Sequence, residues 1–443
     1  MRDQTRRRKA ARTPRPAPAG DTDTADLKLR LSAAGDRFRA GAFAEAGALC
    51  EAILLDTGRP VRVAADILER SMLAIAEAGA FDAAAAPWQR LATVAGFEAM
   101  AADHLMVLRD EMARFDATSD ALAAQILAGP FRRPDAVKAA VRYTWIRDGA
   151  TEALADACLR ASAEGGPSFA RRLGRVLAPL LAARGRHAAL ADLLRAAPEL
   201  RAATLSNAAV ARAISAGDAP ESVGASAEEL EAAAGYAALG GAMTAERLDL
   251  WRELADPAIR IAVVGNSPNG LGKGEGAAID GHDHVVRFNR HALGEPFRAD
   301  YGSRTTILVS GGELADDVLG GADPAVRVIL SGLRFMAMRR LGAAKAIAAR
   351  HRVSCFAEHL DGQLVRRLAA VPSAGLYMLA HLAHVRGSLA GVGCFGFGFV
   401  DQLQETVSAH YFESARPGFR HNWIAEKAAF DELRAGPAPE WCA

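Results

Sequence analysis

The chain reads as an α/β domain with a mostly parallel sheet, preceded by an all-α helical-repeat region. Two observations predict this. After Arg260, short apolar runs at 261–264, 285–289, 306–310, 326–331, 353–357 and 392–397 alternate with helix-length windows, notably 333–350 and 374–386. Such alternation builds strand–helix–strand units with helices on both faces of the sheet. Before Arg260 the text is alanine-rich, with few glycines or prolines inside long windows, and helix is the default there. A chain of 443 residues has room for both parts and a sizeable core.

Residues 1–25 form a basic tail, with Arg6-Arg7-Arg8-Lys9 followed by Pro14, Pro16 and Pro18. It lacks the apolar core of a signal peptide, and its composition predicts a disordered, solvated leader; weak tethering to anionic lipid is the alternative. The Asp21-x-Asp23 pair lies outside any predicted fold and carries no meaning. No apolar run approaches the roughly 20 residues that span a bilayer. The bias to Ala and Arg suggests a GC-rich bacterial coding sequence.

The helical region covers residues 26–236 and holds a recurring pattern. Ala40-Gly41-Ala42-Phe43 returns as Ala78-Gly79-Ala80-Phe81, then more weakly at Ala113-Arg114-Phe115, Gly149-Ala150-Thr151 and Gly185-Arg186-His187. The steps are 38, 34, 36 and 36 residues, close to the tetratricopeptide unit of about 34. Five stacked helix pairs of this kind would form a short solenoid whose concave face suits a protein partner; an irregular bundle is the competing reading. Glycines gather between 215 and 241 and mark a linker, and residues 237–259 read as a connecting helix stopped by Pro257. The domain that carries chemistry is then 260–443.

Two strand ends within it stand out. The first apolar run stops on Gly265-Asn266-Ser267 and the second on Arg287-Phe288-Asn289. Ligands of open α/β sheets sit at that carboxyl edge, and an amide can donate to a phosphate while accepting from a ribose hydroxyl. A nucleotide site follows, without a phosphate-loop motif. Gly270, Gly272, Gly274 and Gly276 do not make a dinucleotide fingerprint, because Asn266-Ser267-Pro268 fills the turn where its first glycines belong. A net charge of +1 gives no field for nucleic acid. The five cysteines are scattered, which argues against zinc and against a disulfide framework.

The segment from Ile261 through Asp300-Tyr301-Gly302-Ser303-Arg304 resembles the large sialylmotif of glycosyltransferase family 29, the sialyltransferases. Pro372-Ser373-Ala374-Gly375-Leu376 with Val392-Gly393-Cys394-Phe395-Gly396 is similar to the small sialylmotif. His410-Tyr411-Phe412-Glu413 resembles the third motif, and His421-Asn422-Trp423-Ile424-Ala425-Glu426 the very small one. The resemblance runs from about Arg260 to Phe430. It implies a Rossmann-like sheet, a variant of the GT-A type, and inverting transfer of sialic acid, or a related nonulosonic acid, from its CMP derivative to a glycan hydroxyl. CMP-Kdo is the close alternative donor; a non-catalytic adaptor with an inert transferase domain is the alternative from another class.

By that resemblance His421 is the general base and His410 the partner of the leaving phosphate. Asn266, Ser267 and Asn289 hold the phosphate and ribose. Ser373 and Gly375 open a helix toward the donor, Tyr411 adds a hydroxyl near the phosphate, and Glu413 and Glu426 position their neighbours. Imidazole, with a reference pKa of about 6.5, suits both histidine roles. Arg287 and Arg304 either touch the donor carboxylate or pair with Asp280, Asp283 or Asp300. His381 and His384 imitate a metal pair without a third ligand. No Asp-x-Asp follows Arg260, so no metal or other cofactor is expected. Animal members carry a cysteine pair near the positions of Ile261 and Arg386; its absence here points to a reducing, cytoplasmic setting, with a peripheral position at the inner membrane as the alternative. Ala374 replaces the threonine usual in the small motif, and the spacing of His410 and His421 is shorter than in animal members, with Pro417 and Gly418 in the cover between them.

Overall fold

The computed structural model describes residues 21–216, 223–310, 322–332, 341–399, 408, 410–414 and 417–442. The basic tail up to residue 20 and the first part of the predicted helix 333–350 lie outside the described residues.

The N-terminal part is helix-rich: α1 (Asp21–Arg39), α2 (Phe43–Thr57), α3 (Arg62–Glu77), α4 (Phe81–Leu91), α5 (Glu98–Glu111), α6 (Ala117–Ala128), α7 (Pro134–Asp148), α8 (Glu152–Ala183) and α9 (His187–Ala196). Each sequence echo falls in the turn of a helical hairpin. Each contains a residue of positive φ: 77° at Gly41, 96° at Gly79, 52° at Ala113, 80° at Gly149 and 66° at Gly185. A left-handed residue of this kind ends a helix and turns the chain back, and glycine adopts it without a Cβ penalty. Gly166, at φ 77° and ψ −174°, breaks α8 in two, so that its second half pairs with α9. The recurrence thus has a backbone cause.

A 28-residue helix, Ala227–Leu254, opens with a Ser226/Glu229 capping box. It runs through the glycines that read as a linker. Gly240 is there for close packing: a Cβ on it would lie 2.9 Å from that of Ala208. The sequence signal was misread because a glycine that lets two helices approach and a glycine that loosens a chain look alike.

Among the described residues the C-terminal part holds six strands, β1 (Ile261–Val264), β2 (His284–Phe288), β3 (Ile307–Ser310), β4 (Arg327–Leu330), β5 (Val353–Cys355) and β6 (Val392–Phe395). All pair in parallel, in the order β5-β4-β3-β2-β1-β6. Alternate side chains serve two cores. Ile261, Val263, Val286, Phe288, Ile307 and Val309 pack with the Ala374–Arg386 and Trp423–Ala435 helices, while Leu308, Val328 and Leu330 pack with Leu341 and Ala344. Helices therefore cover both faces, as parallel sheets require. The chain runs outward from β1 to β5 and returns to place β6 on the other side of β1, which opens a crevice at the carboxyl ends of β1 and β6. Among the described residues no helix is long and apolar enough to cross a membrane.

Candidate active site

At that crevice the pairing of β1 and β6 continues past the strand ends. Gly265 N–H donates to the Phe395 carbonyl at 2.8 Å and Ser267 N–H to that of Gly396 at 2.9 Å. The two backbones meet at glycines: a Cβ on Gly265 would lie 2.5 Å from the Gly396 oxygen, and one on Gly396 would lie 2.6 Å from the Gly265 oxygen. A cavity of about 430 Å³ opens beside them. Asn266, Ser267, Asn289, Ser373, Gly375, His410 and His421 all line it, so residues from four separate sequence segments reach one hollow.

The asparagines divide their work. Asn266 Nδ2 donates to the carbonyls of Phe288 and Arg290, each at 3.0 Å. These flank Asn289, which is held at φ 49° with its N–H on the Val309 carbonyl at 2.8 Å. Both amide hydrogens of Asn266 are thus engaged in bracing the β2 end, and the donation to a phosphate expected from the sequence is not available in this arrangement. Ser267 Oγ accepts from Asn269 N–H at 3.3 Å.

Ser373 caps the Ala374–Arg386 helix, its hydroxyl accepting from Leu376 N–H at 3.3 Å. The start of that helix therefore faces the cavity, an arrangement that favours an anion. Ser373 is itself gripped by Glu426, which is fully buried. Burial pushes the Glu426 carboxyl up, while His421 and the Ser373 hydrogen bonds pull it the other way.

His421 Nδ1 lies 3.0 Å from the Val371 carbonyl and 3.5 Å from Glu426 Oε1. A carbonyl can only accept, so Nδ1 carries a hydrogen, and in the neutral ring the lone pair is on Nε2, the form a proton acceptor needs. His410 Nδ1 contacts Glu413 Oε1 at 3.0 Å, and its ring stacks on Phe412. Arg290 stands 3.7 Å from the other Glu413 oxygen.

Tyr411 is placed differently from expectation. Its hydroxyl donates to the Ala292 carbonyl at 2.6 Å and accepts from Ala292 N–H at 3.0 Å, and its buried ring stacks on Tyr301 at 3.8 Å. It anchors the His410 segment and does not line the cavity. Arg287 is buried with its guanidinium on the carbonyls of Tyr301 and Arg304. Arg304 reaches the carbonyls of Asp280 and His282. Asp280 accepts from Ser303 N–H, Ser303 Oγ and Arg304 N–H, each at 2.9 Å. Much of the 280–304 stretch is therefore a brace for the sheet edge. The His381 ring nitrogens lie at the carbonyls of Tyr377 and Ala357, and His384 Nδ1 lies at that of Cys442.

Sequence reading passed over an aromatic wall. Phe397, Phe399 and Trp423 line the cavity with Asn269, and Phe397 stacks on Phe430 at 5.3 Å. The alternation Gly396-Phe397-Gly398-Phe399 was its signal: Gly398 lets the strand end approach, since a Cβ there would lie 2.8 Å from Ser267 Cβ.

Among solved structures, the chain is similar to a mammalian sialyltransferase in complex with Gal-beta-1-3GalNAc-ortho-nitrophenol, at 23% identity and a TM-score of 0.31, over 40% of this chain and 65% of that one. No curated protein sequence matches. Residues 237–316 match the model of glycosyltransferase family 29 (sialyltransferase), so the stretch that delivers Asn266, Ser267 and Asn289 to the cavity carries the signature of that family.

Proposed function

We propose that the chain is an inverting glycosyltransferase that moves sialic acid, or a related nonulosonic acid, from its CMP derivative to a glycan hydroxyl. The observation that carries this reading is the convergence of His421 and His410 with the Asn266 and Asn289 strand ends on one cavity. The 260–443 sheet is taken as a GT-A variant and the hairpins before it as a tetratricopeptide-like repeat.

The acceptor hydroxyl attacks the anomeric carbon on the side opposite the phosphate. Its proton goes to His421 Nε2, a new carbon–oxygen bond forms, and the bond to the phosphate breaks with its electron pair on CMP. His410, protonated at both nitrogens, donates from Nε2 to the departing phosphate while Glu413 balances its charge. The start of the Ala374–Arg386 helix receives the donor carboxylate or the phosphate. Asn289 faces the ribose, and the wall of Phe397, Phe399 and Trp423 packs the rings. A donor with one phosphate needs no more charge compensation than these groups provide, so no metal is assigned to the step.

The test is release of CMP from a panel of CMP-sugars with mixed glycan acceptors. Release from CMP-sialic acid supports the reading. Release from CMP-Kdo alone moves the assignment to that donor, and release from none, with no CMP binding, favours an inert domain attached to a helical adaptor.

A further inference from the structure

We propose that Phe419 is a positioning residue for His421, and that the helical region, through it, aims the base; this rests on the transferase reading above. Two segments hold His421 in place, and both are seated on the helices. The first approaches from its N-terminal side. Phe419, two residues earlier in the chain, packs against the apolar core built by α1 to α5. Between them Arg420 reaches toward Glu111 at the end of α5, at 3.9 Å.

The second segment supplies the carbonyl that fixes the ring. Val371, whose oxygen accepts from His421 Nδ1 at 3.0 Å, packs against the core of α5 to α9. Val365 is wholly buried in that same core. Ala369, between them, accepts from Phe115 N–H of the α5–α6 turn at 3.0 Å. The Leu368 carbonyl takes Asn422 Nδ2 at 3.0 Å, tying the residue after the base to the same segment. The imidazole is thus clamped between two pieces of the catalytic part that rest on α1 to α9. The family match lies wholly outside those helices.

A shift of the loop by a fraction of an ångström turns Nε2 from the acceptor line without emptying the donor cavity. The test uses the full chain with Phe419→Ala, Phe419→Val and Phe419→Leu. Histidine is labelled with nitrogen-15, and the His421 signals are assigned by their loss in His421→Gln. The expected result is a kcat about tenfold lower in Phe419→Ala with donor KM within about twofold, and near-full recovery in Phe419→Leu. The His421 nitrogens move from the fixed Nδ1–H pattern toward a tautomer average in the alanine variant. If Phe419→Ala does not fold, Phe419→Val gives the same split in smaller measure. Unchanged kcat and an unchanged tautomer in a folded Ala or Val variant overturn the proposal. If the parent chain releases no CMP from any donor, the transferase reading fails by itself, and the tautomer signal alone decides whether Phe419 sets the ring.

Discussion

Glu426 holds Ser373 at two points, the backbone N–H at 2.8 Å and the hydroxyl at 2.5 Å, and its near oxygen is 3.5 Å from His421 Nδ1. One buried carboxylate therefore ties the helix start to the base. Glu426→Gln keeps the shape and removes the charge. The expected outcome is a kcat about 10- to 100-fold lower. The variant should also lose the pH dependence that Glu426 itself contributes, because an amide does not titrate. In the parent chain burial raises the Glu426 pKa, so the anionic tie is present above that raised value and lost as pH falls through it. Rate profiles of the two proteins check this, and superimposable acid limbs would count against the tie.

His421→Ala should separate binding from chemistry. Removing a proton acceptor from the attack costs about 100- to 10,000-fold in CMP release to an acceptor. CMP affinity, measured by calorimetry, should stay within about threefold, because Asn289, the helix start and the aromatic wall are untouched. Loss of CMP binding along with turnover would show the ring to be structural.

The crossing of Gly265 and Gly396 should be intolerant of a single methyl. Gly265→Ala forces a Cβ to within 2.5 Å of a backbone oxygen, which cannot rotate away. A loss of about 1–3 kcal/mol is expected, with weaker CMP binding as the Asn266 turn shifts. Gly235→Ala is the control: a Cβ there meets nothing within 4 Å, in the middle of a helix, so a gain of up to about 1 kcal/mol is expected. Thermal melts of the two variants give the comparison, and equal effects would refute the close approach.

Asp280 links stability to pH. Burial opposes its ionised form, but the Arg304 and Ser303 N–H groups and the Ser303 hydroxyl outweigh this and hold its pKa below the usual range of an aspartate. A carboxyl depressed by folding stabilises the protein above its unfolded pKa, and that contribution fades as pH falls through the folded one. Asp280→Asn should therefore melt below the parent at pH 7, with the gap closing below about pH 4. A gap independent of pH would mean that the charge is not what the 303–304 turn uses.

How far the sequence reveals this protein depends on the length of the interaction. The strands were legible because each is a short apolar run set between helix-length windows, and the Ala374–Arg386 helix because Ser373 caps it and Gly387 ends it. The hairpin turns were legible through glycine, and even Ala113 through its place in the pattern. What the cavity residues touch was not. Whether Asn266 offers its amide to a ligand or to the Phe288 and Arg290 carbonyls depends on a strand 22 residues away. Tyr411 meets Ala292 across 119 residues. Residue type says that such groups need partners and cannot say which. Gly240 was misjudged for the same reason, since Ala208 is invisible from its neighbours.

The helix Ala227–Leu254 has a part in three apolar interiors. Ala233 lies among the side chains of α5 to α9, Met243 under Leu308 and Val328, and Leu250, Trp251 and Leu254 under Ile261 and Val263. Melting either half would strip partners from this one rod. Calorimetry should accordingly record one heat-absorption peak for the whole molecule, and a fragment beginning at residue 260 should precipitate.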